Sequence, residues 1–309
     1  MINRILIRIK VVQMLYSYLL SMNSVSQKEA KNELLKSLDK GYELYYYLLL
    51  LMVQLTDLHA ERLDQAKNKY LPTDDDLNPN TKLIDNLFIK ELVNDVDFQE
   101  YLKNNPITWN DDDIFMKLEL DRILKSDIYA DYIATEGNNY IEDCLFWHSV
   151  MRNIILDDDE LSDILEAKSV YWNDDLSTVG SFVLKTIKKF EIKEPSPIMP
   201  KYRNYDDSVF GVELFGYALD DRSYSNSLIN KYVQTDHWDT DRIATMDRLI
   251  MSVAISEILH YPSIPTKVTL NEYIEIAKYY STPKSGQYIN GILNSVVNYL
   301  KNSGKINKE

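Results

Sequence analysis

The sequence predicts an all-α protein, and three observations carry that expectation. Only 8 glycines and 9 prolines are spread over 309 residues, and helix formers dominate. From Gln27 to Tyr70 the chain reads as one long helical pattern, interrupted at most near Gly41. From Trp238 to Leu293 three helices follow one another, each with its own start and stop signals.

Taken in order, the first helix is expected from Asn3 to Met22, with Ile5, Ile9, Val12, Leu15, Tyr16 and Leu19 on one face. Its start superficially resembles a secretory signal. However, Arg4, Arg8 and Lys10 interleave with the apolar residues, and no small-residue cleavage site follows promptly, so an amphipathic helix is the better reading. Arg4 and Arg8 stand four residues apart, on one side of that helix. They form either a solubilising face or an edge that grips phosphate.

Within the long second helix, Leu44 to Leu55 is apolar all round, which predicts a buried central segment. The apolar run Tyr45–Val53 is too short to span a membrane. A turn is expected at 71–81, then helices over 81–104, 111–134, 139–156, 158–170 and 175–190. Acidic knots at Asp111–Asp113, Asp157–Asp159 and Asp174–Asp175 mark the breaks, because carboxylates favour the positive end of a helix. They lack the D-x-D-x-D-G pattern of a calcium loop, so no metal is expected. Residues 193–207 hold three prolines within six residues and read as a linker. Two shorter helices follow, Ser208 to Leu219 and Tyr224 to Tyr232.

The three closing helices are the most sharply punctuated. The first is capped by Asp239 and Thr240, carries a stripe from Ile243 to Leu259, and ends at Pro262 and Pro265. The second runs from Lys267 to Tyr280 and is expected to bury Val268, Leu270, Ile274 and Ala277. The third starts at Thr282 and Pro283 and is expected to bury Tyr288, Ile289, Ile292, Leu293, Val296 and Leu300. Short loops between them imply an antiparallel bundle. Asn271, Glu272 and Asn290 interrupt the apolar pattern; interhelical hydrogen bonds or helix-end capping are their expected role, with ligand contact the alternative.

Charge is divided unevenly. The chain carries −14 in all. Residues 1–25 carry +3 and no acid; residues 201–309 carry −1; residues 26–200 carry −16. One cysteine, Cys144, excludes an intramolecular disulfide and fits a reducing cytoplasm. With His148 four residues later on an apolar helix, it reads as a core thiol. The four histidines lack metal-ligand spacing. No nucleophile elbow, phosphate loop or dinucleotide turn occurs, so the chain is not expected to be an enzyme or to hold a cofactor.

These residues carry a resemblance. Arg4 and Arg8 before Gln13–Tyr16, then Glu257, Ile264–Pro265, the run Asn271–Lys278 and the run Ser285–Leu293 stand in the order of the NusB family of transcription antitermination factors. The resemblance covers residues 3–22 and 207–300. It implies a NusB-like helical bundle: residues 1–25 form its first helix, 201–309 the remainder, and 26–200 a large acidic helical insertion of the Bacteroidetes-type branch. It also implies binding of boxA-like single-stranded RNA together with NusE, a small-subunit ribosomal protein. The complex, with other Nus factors, acts on elongating RNA polymerase, chiefly at ribosomal RNA operons.

Residue by residue, Arg4, Arg8 and Lys10 match the arginine-rich RNA-binding helix, although Ile5 and Leu6 replace further arginines. Lys284, Gln287 and Tyr288 fall where the last helix meets RNA; Tyr16, Asp241 and Asp247 fall at partner contacts. The chemistry is compatible, because single-stranded RNA is read by aromatic stacking while cations grip phosphate. So few cations imply a shallow salt dependence. The acidic middle is expected to meet protein rather than RNA. Other readings are a helical scaffold that binds only protein and a NusB-like RNA binder in ribosomal RNA processing or ribosome assembly; an rRNA cytosine methyltransferase is disfavoured, because its catalytic domain would begin where this chain stops.

Overall fold

A computed structural model describes residues 1–21, 24–233, 244–282 and 285–308. Every regular element among them is helical. In chain order they are α1 (Arg4–Leu20), α2 (Gln27–Lys67), α3 (Asp74–Leu77), α4 (Leu87–Asn94), α5 (Val96–Asn104), α6 (Asp113–Leu124), α7 (Asp127–Ala134), α8 (Tyr140–Val150), α9 (Asp159–Lys168), α10 (Leu176–Glu191), α11 (Tyr205–Asp220), α12 (Arg222–Val233), α13 (Thr245–His260), α14 (Thr266–Tyr280) and α15 (Ser285–Asn302). A 3₁₀ turn, Asn110–Asp112, leads into α6, and a π turn, Met151–Ile155, continues α8.

Two expected long helices are broken by internal caps. Asp95 ends α4 and accepts the Phe98 amide to start α5; Ser126 accepts the Tyr129 amide to start α7. The expected turn holds the short α3, closed by a capping box between Thr73 and Asp76. The acidic knots stand at helix starts. Asp113 opens α6, Asp158 caps α9, and Asp175 precedes α10.

The chain divides into two compact units, and α2 runs through both. One unit comprises residue 1 and residues 39–201; the other comprises 2–38 and 202–309. The middle unit is built on the apolar half of α2. Tyr45, Trp109 and Trp147 are fully buried there. Two of these rings have a partner for the buried polar tip: Trp109 Nε1 donates to the Tyr47 carbonyl at 2.9 Å, and Tyr45 OH meets Thr186 Oγ1 at 2.6 Å. The proline-rich stretch is packed into this unit, with the Met199 amide donating to Tyr45 OH and Ile198 buried. Cys144 is buried, and burial pushes its thiol up to about 12, which leaves it an inert core group.

The split unit surrounds α13. Every residue from Leu249 to Ile258 is buried, because α1, α11, α12, α14 and α15 all pack on this helix. The expected stripe is therefore a helix buried all round. The faces of its neighbours also differ from the simple periodic reading. On α1 the buried apolar residues are Leu6, Ile7, Val11, Val12 and Leu15, while Ile5 is 42% exposed. The helix is covered by both α11 and α13, so its buried arc is shifted and widened. On α14, Thr269, Tyr273 and Ile276 face the core, and Val268 is exposed. The expected caps Asp239 and Thr240, with Ile243, lie outside the described residues, as does Pro283.

Candidate RNA and partner interface

The site expected from the sequence is built on α1, α13 and the start of α15. Asn3 caps α1 by accepting the Leu6 amide at 2.9 Å, and this orients Arg4 and Arg8 one turn apart. Both guanidinium groups have carboxylate partners. Arg4 Nε donates to Asp207 Oδ1 at 2.7 Å, and its guanidinium lies 4.9 Å from the Phe210 ring centre. About a third of the Arg4 side chain stays exposed.

Arg8 is in a different environment. Its Nε and Nη2 donate to Glu257 Oε2 and Oε1, both at 2.8 Å. The Arg8 side chain is 3% exposed and that of Glu257 fully buried. Glu257 also accepts Thr269 Oγ1 at 2.8 Å and Tyr273 OH at 3.0 Å. A buried carboxylate is thereby saturated with donors. Burial alone would favour a neutral Arg8, but the hydrogen bonds and charge of Glu257 outweigh it and hold the guanidinium firmly cationic. Burial, reinforced by the Glu257 charge, pushes the Tyr273 phenol well above its usual value. Glu272 lies 3.9 Å from Arg8 Nη1, and its carboxyl is raised by burial against the opposing pull of Arg8.

This geometry corrects the reading of Arg8 as a surface phosphate contact. It is an internal tie between α1 and α13, with α14 supplying Thr269, Tyr273 and Glu272. Lys10 is also buried, at 3% exposure. Arg4 is half-buried and keeps part of its cationic surface in solvent.

At the other edge, Asp247 on α13 accepts Ser285 Oγ at 2.9 Å and also Ser281 Oγ. Asp247 is 6% exposed, so it is an anchor for the first residue of α15 rather than an open acidic surface. Gln287 and Tyr288 follow directly, the first exposed and the second half-buried. Tyr16 is half-buried on α1. Lys284 and Asp241 lie outside the described residues.

The structure thus joins Arg8 with Glu257, and Asp247 with Ser285. The sequence marked Glu257 as a motif residue but not as the partner of Arg8. A carboxylate inside the run from Leu249 to Ile258 was the available signal. No group of three or more His, Cys, Asp or Glu side chains could hold a metal ion among the described residues. None of the described helices is long and apolar enough to cross a membrane.

Residues 183–298 match the model of the NusB family. Over 99 residues the chain is 37% identical to the transcription antitermination protein NusB of Salinibacter ruber, which spans 32% of this chain and 61% of that protein. It is 45% identical over 73 residues to the protein of that name from Chloroherpeton thalassium, covering 24% of this chain and 35% of that one. Against the one from Natranaerobius thermophilus it is 46% identical over 74 residues, covering 23% and 53%. The chain thus spans from about a third to three fifths of the length of these relatives. No solved structure matches it.

Proposed function

We infer that this chain, whose residues 183–298 match the NusB family model, is a transcription antitermination factor and not an enzyme. It binds boxA-type nascent RNA together with NusE and, with other Nus factors, acts on elongating RNA polymerase in the cytoplasm. The observation that carries this reading is the ordered α13–α15 segment, which the family match covers up to residue 298 and which lies within the 2–38 and 202–309 unit. Residues 26–200, which the family match enters only from residue 183 onward, are read as an acidic insertion into that core, one that meets protein rather than RNA because its charge repels phosphate.

Three groups support RNA contact: the exposed part of Arg4 and, at the other edge, Gln287 and the half-buried Tyr288. Cations hold phosphate and aromatic rings hold bases. The set is thin in charge, because Arg8 and Lys10 are buried, so NusE is the expected source of additional cations. The test is binding of a boxA-like RNA by the full chain, with and without NusE. Binding that strengthens with NusE is the expected result; no binding in either state overturns the reading. The burial of Arg8 also favours a second reading, a helical scaffold that binds only protein. Under it, Arg4→Glu leaves both RNA retention and antitermination unchanged.

A further inference from the structure

We propose that the RNA track does not stop at Tyr288 but continues along the seam between α12 and α15, where an alternating row of lysines and tyrosines receives a longer single strand. The proposal rests on the RNA-binding reading above and extends its footprint. In a chain of net charge −14, neither α12 nor α15 contains an Asp or a Glu. The two helices pack against each other, and their seam carries two cation–aromatic pairs. Lys231 Nζ on α12 lies 4.1 Å from the centre of the Tyr299 ring on α15. Lys305, just past the end of α15, lies 4.2 Å from the Tyr224 ring on α12 and donates to its hydroxyl at 2.6 Å.

Helix geometry lines these groups up. Tyr288 and Tyr299 are eleven residues apart, which puts them within about 20° of the same face and ~16 Å apart along the axis. Tyr224 and Lys231 are seven apart on α12 and again share a face to within about 20°. Both lysines are exposed and both tyrosines half-buried, so part of each of the four side chains is open to solvent. Between Tyr288 and Tyr299 stands Gly291. Glycine is a poor helix former, and a Cβ there would meet nothing within 4 Å, so packing does not require it. Its absence of side chain keeps that flank low.

Rings spaced along a groove with cations between them are the arrangement that holds single-stranded nucleic acid without reading its sequence. The seam therefore adds affinity and length rather than specificity. Bases stack on Tyr299 and Tyr224 as Lys231 and Lys305 swing from the rings to the phosphates. The hydrogen bond from Lys305 to Tyr224 holds the lysine above its ordinary pKa, so it stays cationic at neutral pH.

The test compares a boxA-like RNA with the same RNA lengthened at each end by an unstructured tract, using the full chain and NusE. Wild type is expected to bind the longer RNA more tightly. Lys231→Gln with Lys305→Gln should bind the short RNA as wild type does. It should lose the gain on the long one and flatten its log–log salt slope by about 1.4, two phosphates at ~0.7 each. Tyr299→Ala should weaken the long RNA about tenfold, and Tyr299→Phe should not. The proposal falls if lengthening adds nothing, if the salt slope does not move, or if an acidic polypeptide displaces the long RNA through these lysines as well as RNA does. If wild type binds neither RNA, the functional reading fails first, which is a distinct result.

Discussion

Arg8 and Glu257 meet through two parallel hydrogen bonds of 2.8 Å, with neither side chain more than 3% exposed. Removing one partner of a buried pair leaves an uncompensated charge, at a cost of about 3–5 kcal/mol. Arg8→Met should therefore destabilise the 2–38 and 202–309 unit by that amount in denaturant titration, and Arg8→Met with Glu257→Met by much less. Arg4→Ala should cost at most about 1 kcal/mol, because its pair with Asp207 is partly exposed. The contrast separates the two arginines. A loss of RNA binding in the Arg4 variant reports the surface, whereas in the Arg8 variant it reports the fold. An Arg8→Met protein as stable as wild type would remove Arg8 from the list of structural ties.

Asp247 accepts two serine hydroxyls and so fixes where α15 begins. Asp247→Ala should cost about 1–3 kcal/mol through Ser281 and Ser285, left without their acceptor. The effect should be local. Amide hydrogen exchange should accelerate in the first turns of α15 more than in α13, and RNA binding through Gln287 and Tyr288 should weaken with it. Uniform exchange along α15 would mean that the helix start is held by other contacts.

In the middle unit, Glu119 is 1% exposed and lies 3.0 Å from Arg122, which also pairs with Asp158. Burial pushes the Glu119 carboxyl from its ordinary 4.5 up to about 7; Arg122 opposes this, and Asp158 and Glu160 add to it. The folded state then holds a proton that the unfolded state has released. Stability should fall as pH rises from about 4.5 to about 7, by about 2–3 kcal/mol. Glu119→Gln should abolish that part of the pH dependence and be the more stable protein at neutral pH. A parallel pH profile for wild type and Glu119→Gln would show that Glu119 does not titrate in this range.

The closing helices were legible because proline and short polar loops bound them: Pro262 and Pro265 separate α13 from α14 as the sequence indicates. The breaks at Asp95 and Ser126 were not, because each cap sits inside a run that keeps helical periodicity on both sides. The buried face of α1 was misread at Ile5 for a tertiary reason: a helix covered from two sides has no single stripe. Arg8 was read as a surface cation because local sequence marks it as one of an i,i+4 pair. Its partner lies 249 positions away, and only packing brings the two together. Asp247 was misplaced in the same way, since an acid near a helix start reads equally as a partner contact or an anchor.

The return of α1 onto the C-terminal helices depends on Gly211. A Cβ at that position would stand 2.8 Å from Ile7 Cγ2, closer than real Cβ contacts, with Leu34 and Leu38 at 3.8 Å. Gly211 lies within α11, where alanine would otherwise be the better helix former by about 1 kcal/mol. Overpacking should outweigh that gain, so Gly211→Ala is expected to destabilise by about 1–3 kcal/mol. Ile7 is fully buried, and Ile7→Ala alone should cost about 2–5 kcal/mol through the cavity it leaves. If the two positions are in contact, the double variant should cost less than the two single costs together, because the new methyl fills part of the cavity. Denaturant titration of the four proteins measures that coupling. Additive costs would mean that α1 does not pack on α11 at Gly211, and the joining of residues 2–38 with 202–309 would need another basis.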